Sequence, residues 1–214
     1  MEWKDVTVFQ WQQLVELFTG EYNELELMVN SASILYGITI NQIDNYNAKE
    51  LKEKLNGIKF IHNEIKPIPQ KYIQIKNKRY RCIYDVRKIQ AARYIESKYH
   101  AKDVNNSLHK IAASMVMPQK KNLFGRWVDD KYDVSKHGEY SDDMLNAPIT
   151  AVLGSVVFFC NVYLNWIKNS KGYLIEQMET TMTKDQVRKM YQDLWNNMAG
   201  YIKPNWFQDI KTSN

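Results

Sequence analysis

The sequence is poor in the residues from which cofactor loops and disulfide frameworks are built. It has only 8 glycines in 214 residues, and it contains no phosphate-binding glycine loop, dinucleotide fingerprint, zinc-binding helix motif or serine nucleophile elbow. Its two cysteines, Cys82 and Cys160, lie far apart, which excludes a secreted disulfide scaffold and favours a reducing compartment. We therefore predict no catalytic residue, no cofactor and no bound metal.

Long apolar runs are also scarce. The candidate for a membrane span is the uncharged stretch between Asp143 and Lys168. Its unbroken apolar part, residues 151–160, is about half of the roughly 20 residues that a spanning helix needs, and polar residues and a proline interrupt the rest. Residues 1–5 carry charges where a signal peptide would be apolar. We predict a buried central helix over about 149–168, no membrane contact, and a protein that stays in the cytoplasm where it is made.

The residues that are present predict a folded helical protein. Hydrophobic residues make up 44% of the chain, and 14 Tyr, 7 Phe and 6 Trp supply enough bulk for a sizeable core. Apolar residues at helical spacing follow capping residues at Thr7 and Asn47, and prolines in residues 66–69 end this pattern. The predicted fold class is mainly α, a multi-helix globular domain with one small β-hairpin. Residues 1–66 form an N-terminal helical subdomain, and residues 67–214 form a hairpin plus helical core in one continuous domain.

Beyond the prolines, two strand-like segments flank a turn. Residues 72–75 and 79–84 are rich in β-branched and aromatic side chains, and they predict a hairpin that is the only sheet of the protein. A helix over about 105–117 should end at Pro118. Residues 119–138 show no clear period and are predicted to form a long surface loop.

Positive charge is concentrated around the predicted hairpin. The chain carries a formal charge of +5, but residues 71–102 hold ten basic residues against two acidic ones, so the remainder is net negative. Tyrosines interleave with these cations, a pattern that suits a phosphate backbone with stacked bases. It equally suits contact with an acidic partner protein, or an exposed strand edge whose lysines prevent unwanted strand pairing. The predicted basic contact patch comprises Lys76, Lys78, Arg79, Arg81, Arg87 and Arg93.

Three tryptophans are the interface candidates. Trp3, Trp127 and Trp206 lie in predicted termini or loops rather than on helical stripes. Because tryptophan is enriched at protein interfaces, we predict that these side chains contact neighbouring chains.

An acidic loop offers an alternative of another class. Asp129, Asp130, Asp133 and His137 are close in sequence, and carboxylates with an imidazole can bind a divalent metal. Their spacing matches no EF-hand, and helix caps with a solvated loop explain them more simply. The other histidines have no carboxylate or cysteine beside them in the sequence, which favours ordinary surface or core positions.

Four segments resemble small proteins encoded in the structural modules of tailed bacteriophages, in particular those of crAss-like phages that infect Bacteroidetes. These segments are residues 3–8 (WKDVTV), 80–89 (YRCIYDVRKI), 91–95 (AARYI) and 108–118 (LHKIAASMVMP). The resemblance implies a non-enzymatic virion component of the portal and tail region, either a ring or a cargo protein, or else a tail-assembly chaperone. It also implies other virion proteins as partners in an oligomeric assembly, synthesis in the cytoplasm of the infected bacterial host, and a final place in the virion.

The leading hypothesis is thus a phage structural protein that acts through protein-protein contacts. A nucleic-acid-binding accessory protein that uses the basic patch is the second hypothesis. A metal-dependent enzyme at the acidic loop is the third.

Overall fold

The computed structural model describes residues 1–85, 89–101 and 103–169, and for residues 91, 94, 98 and 160–169 it describes the backbone alone. Within these ranges the chain is mainly α-helical with one small antiparallel sheet, so the predicted fold class is confirmed. Residues 183–200, for which the sequence predicts a last helix that begins at a capping box and ends at Gly200, lie outside the described residues, as does Trp206.

The first four helices begin where the sequence places capping residues. The side chain that precedes each helix accepts a hydrogen bond from a backbone N–H of the first turn, and the third helical residue bonds back to the cap. The second of these helices is followed by Gly37, whose φ of 64° is the left-handed conformation that glycine adopts easily. The helices are α1 (Val8–Thr19), α2 (Glu24–Tyr36), α3 (Ile40–Asp44) and α4 (Ala48–Gly57).

The second group contains four helices, and three of them pack against the fourth. These helices are α5 (Ala91–His100), α6 (Val104–Ser114), α7 (His137–Leu145) and α8 (Ile149–Asn169). Helix α6 packs against α5, α7, α8 and α1. Leu108 and Ile111 of α6 are buried, as are Val152 and Val156 of α8. The predicted buried helix over about 149–168 is therefore α8.

The predicted hairpin forms, but it is not the only β-structure. Its strands are β1 (Tyr72–Ile75) and β2 (Lys78–Cys82), and two more strands, β3 (Val116–Lys121) and β4 (Trp127–Asp129), extend the sheet in the antiparallel order β1-β2-β3-β4. Helix α6 ends at Ser114, so the predictions of a helix to residue 117 and of a loop from residue 119 are both corrected. The apolar residues that suggested a longer helix instead pair with β2, where Val116 lies opposite Cys82.

Pro118 lies inside β3, although proline normally interrupts a strand. Its carbonyl accepts a hydrogen bond from the Asp130 N–H at 2.8 Å, just beyond the end of β4. The nitrogen of an antiparallel strand residue faces the same side as its carbonyl, so the missing N–H of Pro118 does not face β2. Pairing of β3 with β2 therefore stays intact through Pro118, which lies opposite Tyr80.

The segment before α1 joins the two halves of the chain. The Val8 N–H donates to the Ala147 carbonyl at 3.0 Å, and the Ile149 N–H donates to the Val6 carbonyl at 2.9 Å. A single cluster of buried apolar side chains includes residues from both sides of residue 66. The described core therefore continues across residue 66. The predicted division of the chain at that residue stays a prediction.

Candidate functional site

The sheet has one buried face and one face turned away from the helices. Ile73, Ile75, Tyr80 and Cys82 alternate into the core. The register of the four strands brings the intervening side chains together on the opposite side, which we call the outer face. The outer face comprises Tyr72, Gln74, Arg79, Arg81, Met117, Gln119, Lys121, Trp127 and Asp129.

Cations and aromatic rings are layered on the outer face. The Arg79 guanidinium carbon lies 3.8 Å from the centroid of the Tyr72 ring and 5.9 Å from that of Trp127. The Lys121 ammonium lies 5.3 Å from the Trp127 centroid. Such cation-π contacts hold the side chains over one another and keep positive charge at the surface.

Two members of the predicted basic patch are neutralised by carboxylates. Arg81 donates from Nε and Nη2 to the Asp129 carboxylate at 2.7–3.0 Å, and this guanidinium holds the pKa of Asp129 below its usual range. The Lys78 ammonium lies 2.7 Å from Asp143, which also accepts a hydrogen bond from the Tyr80 hydroxyl. These two cations are therefore less available to an anionic partner than the sequence suggests.

The structure removes Arg93 from the basic patch. Arg93 is only 1% exposed, its guanidinium stacks at 3.7 Å on the Tyr132 ring, and it donates to the Val116 carbonyl. An arginine buried in this way contributes to packing and cannot reach a phosphate backbone. Arg87 lies outside the described residues. Lys76 is exposed in the β1–β2 turn, where it adopts a φ of 51°.

The turn between β3 and β4 presents two apolar side chains to solvent. Leu123 is 101% exposed and Phe124 is 86% exposed, the two highest values among the large apolar residues that the structure describes. The Asn122 Oδ1 atom accepts hydrogen bonds from the backbone N–H groups of Phe124 and Arg126, both at 3.0 Å. Gly125 supplies the left-handed residue of the turn with a φ of 72°. The turn is therefore ordered by its own hydrogen bonds and not by packing of its apolar residues.

The two described tryptophan candidates both have partners within the chain. The Trp3 indole N–H donates to the Asn63 carbonyl at 2.9 Å, and its ring packs edge-to-face on Phe60 at 5.3 Å. Trp127 is half-buried under Lys121 and Arg79. Their interface role stays a prediction, and Leu123 and Phe124 are more exposed than either. The sequence signal for this turn is Asn122 followed by Gly125, with a basic residue on either side of the segment.

The acidic residues of the loop do not converge on one site. Asp129 pairs with Arg81, Asp130 lies 2.7 Å from Lys120, and Asp133 accepts hydrogen bonds from Ser135. These contacts agree with the simpler explanation by caps and surface pairs. His137 points elsewhere, towards Glu96 and His100 of α5.

The cluster around His137 was not found from the sequence. His137 Nδ1 lies 3.3 Å from Glu96 Oε2 and 2.8 Å from the Tyr132 hydroxyl, and the His137 ring is parallel to that of His100 with centroids 6.2 Å apart. The members come from α5, from the segment before α7 and from α7 itself, so that only the tertiary fold assembles them.

Comparisons of the chain with protein-family models, with curated proteins and with solved structures found no match. Among the helices that the structure describes, α8 included, none combines the length and the hydropathy that a bilayer crossing requires.

Proposed function

We propose that this chain is a non-enzymatic structural protein of a tailed bacteriophage, a ring or cargo component of the portal and tail region that acts through protein-protein contacts. The observation that carries the contact role is the ordered β3–β4 turn, residues 122–126, with Leu123 and Phe124 exposed. The phage assignment is supported by the resemblance of residues 3–8, 80–89, 91–95 and 108–118.

The turn has the chemistry of an interface anchor. Burial of an exposed leucine or phenylalanine against a partner is worth about 1.5–3 kcal/mol each. Because the turn is already ordered, little conformational entropy is lost when it docks. Lys121 and Arg126 flank the apolar pair, so the complementary surface is an apolar pocket with an acidic rim.

Native mass spectrometry and light scattering of the purified chain, at low and moderate salt and with short DNA, test the proposal. We expect a defined oligomer without DNA, and we expect the double variant Leu123→Ala/Phe124→Ala to lose it while keeping its helical circular dichroism. Phe9→Ala is the matched control, because Phe9 is 52% exposed on α1, away from the turn. If the oligomer persists in the double variant, or if Phe9→Ala weakens it equally, the turn is not the anchor.

A tail-assembly chaperone would use the same contact chemistry but would leave before the particle is complete. Peptide mass spectrometry of purified virions separates the two roles. A ring or cargo protein stays in the finished particle at a fixed copy number, whereas a chaperone is found only in lysates.

A nucleic-acid-binding accessory protein is the second candidate, and the outer face favours it. Arg79 between Tyr72 and Trp127, with Lys121 beside them, combines positive charge with aromatic rings, as single-strand binding surfaces do. No described carboxylate pairs with Arg79 or Lys121.

Salt-dependent binding of short single-stranded DNA and RNA tests this second candidate. Affinity should fall steeply as salt rises, and Arg79→Gln should reduce the slope of log K against log salt by about 1. Lys52→Gln on α4 removes an exposed cation far from the outer face and should leave the slope unchanged. Binding that is absent, or insensitive to salt, excludes this candidate.

A further inference from the structure

Three metal-ligating side chains that the proposed function does not use converge between α5 and α7. Glu96 and His100 are four residues apart on α5, so they lie on the same side of that helix. His137 is the first residue of α7. One donor atom from each residue lies within 4.8 Å of the donor atoms of the other two. All three side chains are partly exposed, so an ion can enter from solvent.

The spacing of the donors is close to that of a coordination shell. Zinc bonds of about 2.0–2.2 Å at tetrahedral angles place neighbouring ligand atoms about 3.3–3.6 Å apart. The His137 Nδ1 and Glu96 Oε2 atoms are already 3.3 Å apart. His100 therefore has to approach by about an ångström, which is within the range of a small side-chain rotation.

Hydrogen bonding leaves His137 incompletely satisfied. Its Nδ1 has the Tyr132 hydroxyl at 2.8 Å, whereas its Nε2 is buried and has no hydrogen-bond partner among the residues that the structure describes. Buried polar atoms without partners are uncommon in folded proteins. The Nδ1 atom, which faces both the Glu96 carboxylate and the Tyr132 hydroxyl, is therefore the ligand atom of His137.

The donor set selects a class of ion. Two imidazole nitrogens and one carboxylate oxygen suit zinc and neighbouring transition metals, whereas calcium and magnesium favour oxygen ligands throughout. Arg93 and Lys110 lie close enough to His137 to interact with it electrostatically. Their positive charges oppose an ion held by electrostatic attraction alone, so a bound ion depends on coordinate bonds to nitrogen.

We propose that Glu96, His100 and His137 bind one divalent transition-metal ion of the zinc type and that this ion fastens α5 to α7. Solvent or the Tyr132 hydroxyl completes the coordination. This site lies apart from the β3–β4 turn and does not depend on the proposed function. It also revises the sequence-based prediction that the chain binds no metal, which had grouped His137 with the carboxylates of the acidic loop.

Zinc titration of the full chain tests the proposal. The protein is prepared without a histidine tag, treated with a chelator, and titrated with Zn²⁺ against a chromophoric competitor. We expect one ion per chain and a melting temperature that rises with Zn²⁺, because binding to the folded state stabilises it by mass action. A chain that binds no zinc under these conditions carries only a hydrogen-bonded cluster, and the proposal is wrong.

Matched variants locate the ion. His100→Gln and Glu96→Gln each remove one ligand from a partly exposed position, and each should lower zinc affinity at least tenfold and abolish the rise in melting temperature. His62→Gln is the control, because His62 is exposed and outside the cluster. Circular dichroism checks that every variant is folded. If both ligand variants keep the wild-type affinity, the ion is bound elsewhere and the assignment fails.

Discussion

Gly154 occupies a position where the backbone of another segment fills the space of a side chain. A Cβ atom on this residue of α8 would lie 2.4–2.6 Å from backbone atoms of Ile68. The Ile68 N–H also donates to the Thr150 carbonyl at 3.2 Å, which ties this segment to the first turn of α8. The contact is therefore with the chain between Pro67 and Pro69.

Gly154→Ala should lower the free energy of unfolding by about 1–3 kcal/mol, because the backbone of Ile68 must shift to admit the methyl group. Gly138→Ala on α7 is the matched control, since a Cβ there meets no atom within 4 Å. Alanine is the better helix former, so this control should be up to about 1 kcal/mol more stable than the wild type. Urea unfolding measures both, and a Gly154→Ala variant as stable as the control would contradict the close approach.

His109 makes the stability of the protein depend on pH. It is 9% exposed, and burial, with a smaller contribution from Lys110, lowers its pKa from 6.5 to about 4. The Gln12 amide nitrogen lies 3.3 Å from His109 Nδ1, a contact that favours the unprotonated ring. Because the folded-state pKa is the lower one, the contribution of His109 is complete above pH 6.5 and is lost as the pH falls towards 4. The loss is on the order of 3 kcal/mol.

Urea unfolding between pH 7 and pH 4 measures this effect. His109→Gln should give a flatter dependence of stability on pH than the wild type. His62→Gln should keep the wild-type dependence, since His62 is exposed. Equal slopes for His109→Gln and the wild type would show that His109 titrates normally in the folded protein.

At the scale of elements, one carboxylate connects the sheet to α7. Asp143 of α7 accepts the hydrogen bond of the Tyr80 hydroxyl and pairs with Lys78, and both of these residues belong to β2. Burial, followed by the bond to Asp143, raises the pKa of Tyr80 well above its ordinary value. The phenol therefore remains a hydrogen-bond donor at neutral pH.

Tyr80→Phe should lower the free energy of unfolding by about 1.5–3 kcal/mol, because it removes a hydrogen bond to a charged group and leaves Asp143 with one partner fewer. Tyr72→Phe is the control, since the Tyr72 ring lies on the outer face beneath Arg79. Chemical denaturation of both variants is the measurement. A Tyr80→Phe variant as stable as Tyr72→Phe would mean that the bond to Asp143 adds nothing.

The elements that the sequence predicts well are those specified locally. The capped helices and the β1–β2 hairpin follow from neighbouring residues, and Thr7 and Asn47 act as caps as expected. Strands β3 and β4 do not follow from local signals, because β4 has three residues and β3 contains Pro118. The pairing of β3 with β2 is also long-range, since Arg79 of β2 lies opposite Gln119 of β3.

The candidate sites also depend on long-range contacts that local sequence signals do not specify. Composition indicated a basic and aromatic hairpin, and Arg79 lies on its surface as expected. The sequence could not show that Arg93 is buried or that Leu123 and Phe124 stay exposed, because burial depends on which elements pack together. It also could not bring His137 to α5, since no local spacing relates the two.

At the scale of the molecule, the buried cluster predicts a single cooperative unit. Leu14 of α1 and Leu108 of α6 are both at most 1% exposed and belong to the same cluster. Leu14→Ala and Leu108→Ala should therefore each lower the midpoint of one common urea transition, with a loss of about 2–5 kcal/mol. Far-UV circular dichroism follows the transition. Two transitions, one shifted by each variant, would indicate that residues 1–66 unfold separately.

Because residues 6–8 pair with residues 147–149, the N-terminal segment cannot complete its contacts until most of the described chain has been synthesised. Translation at about 5–20 residues per second needs roughly 7–30 s to add the intervening chain. For most of that interval the N-terminal helices lack α6, and for all of it they lack α8, to cover their apolar stripes. The nascent chain is therefore most prone to aggregation in the seconds before α8 emerges. During those seconds residues 6–8 have been made but still lack their pairing with residues 147–149.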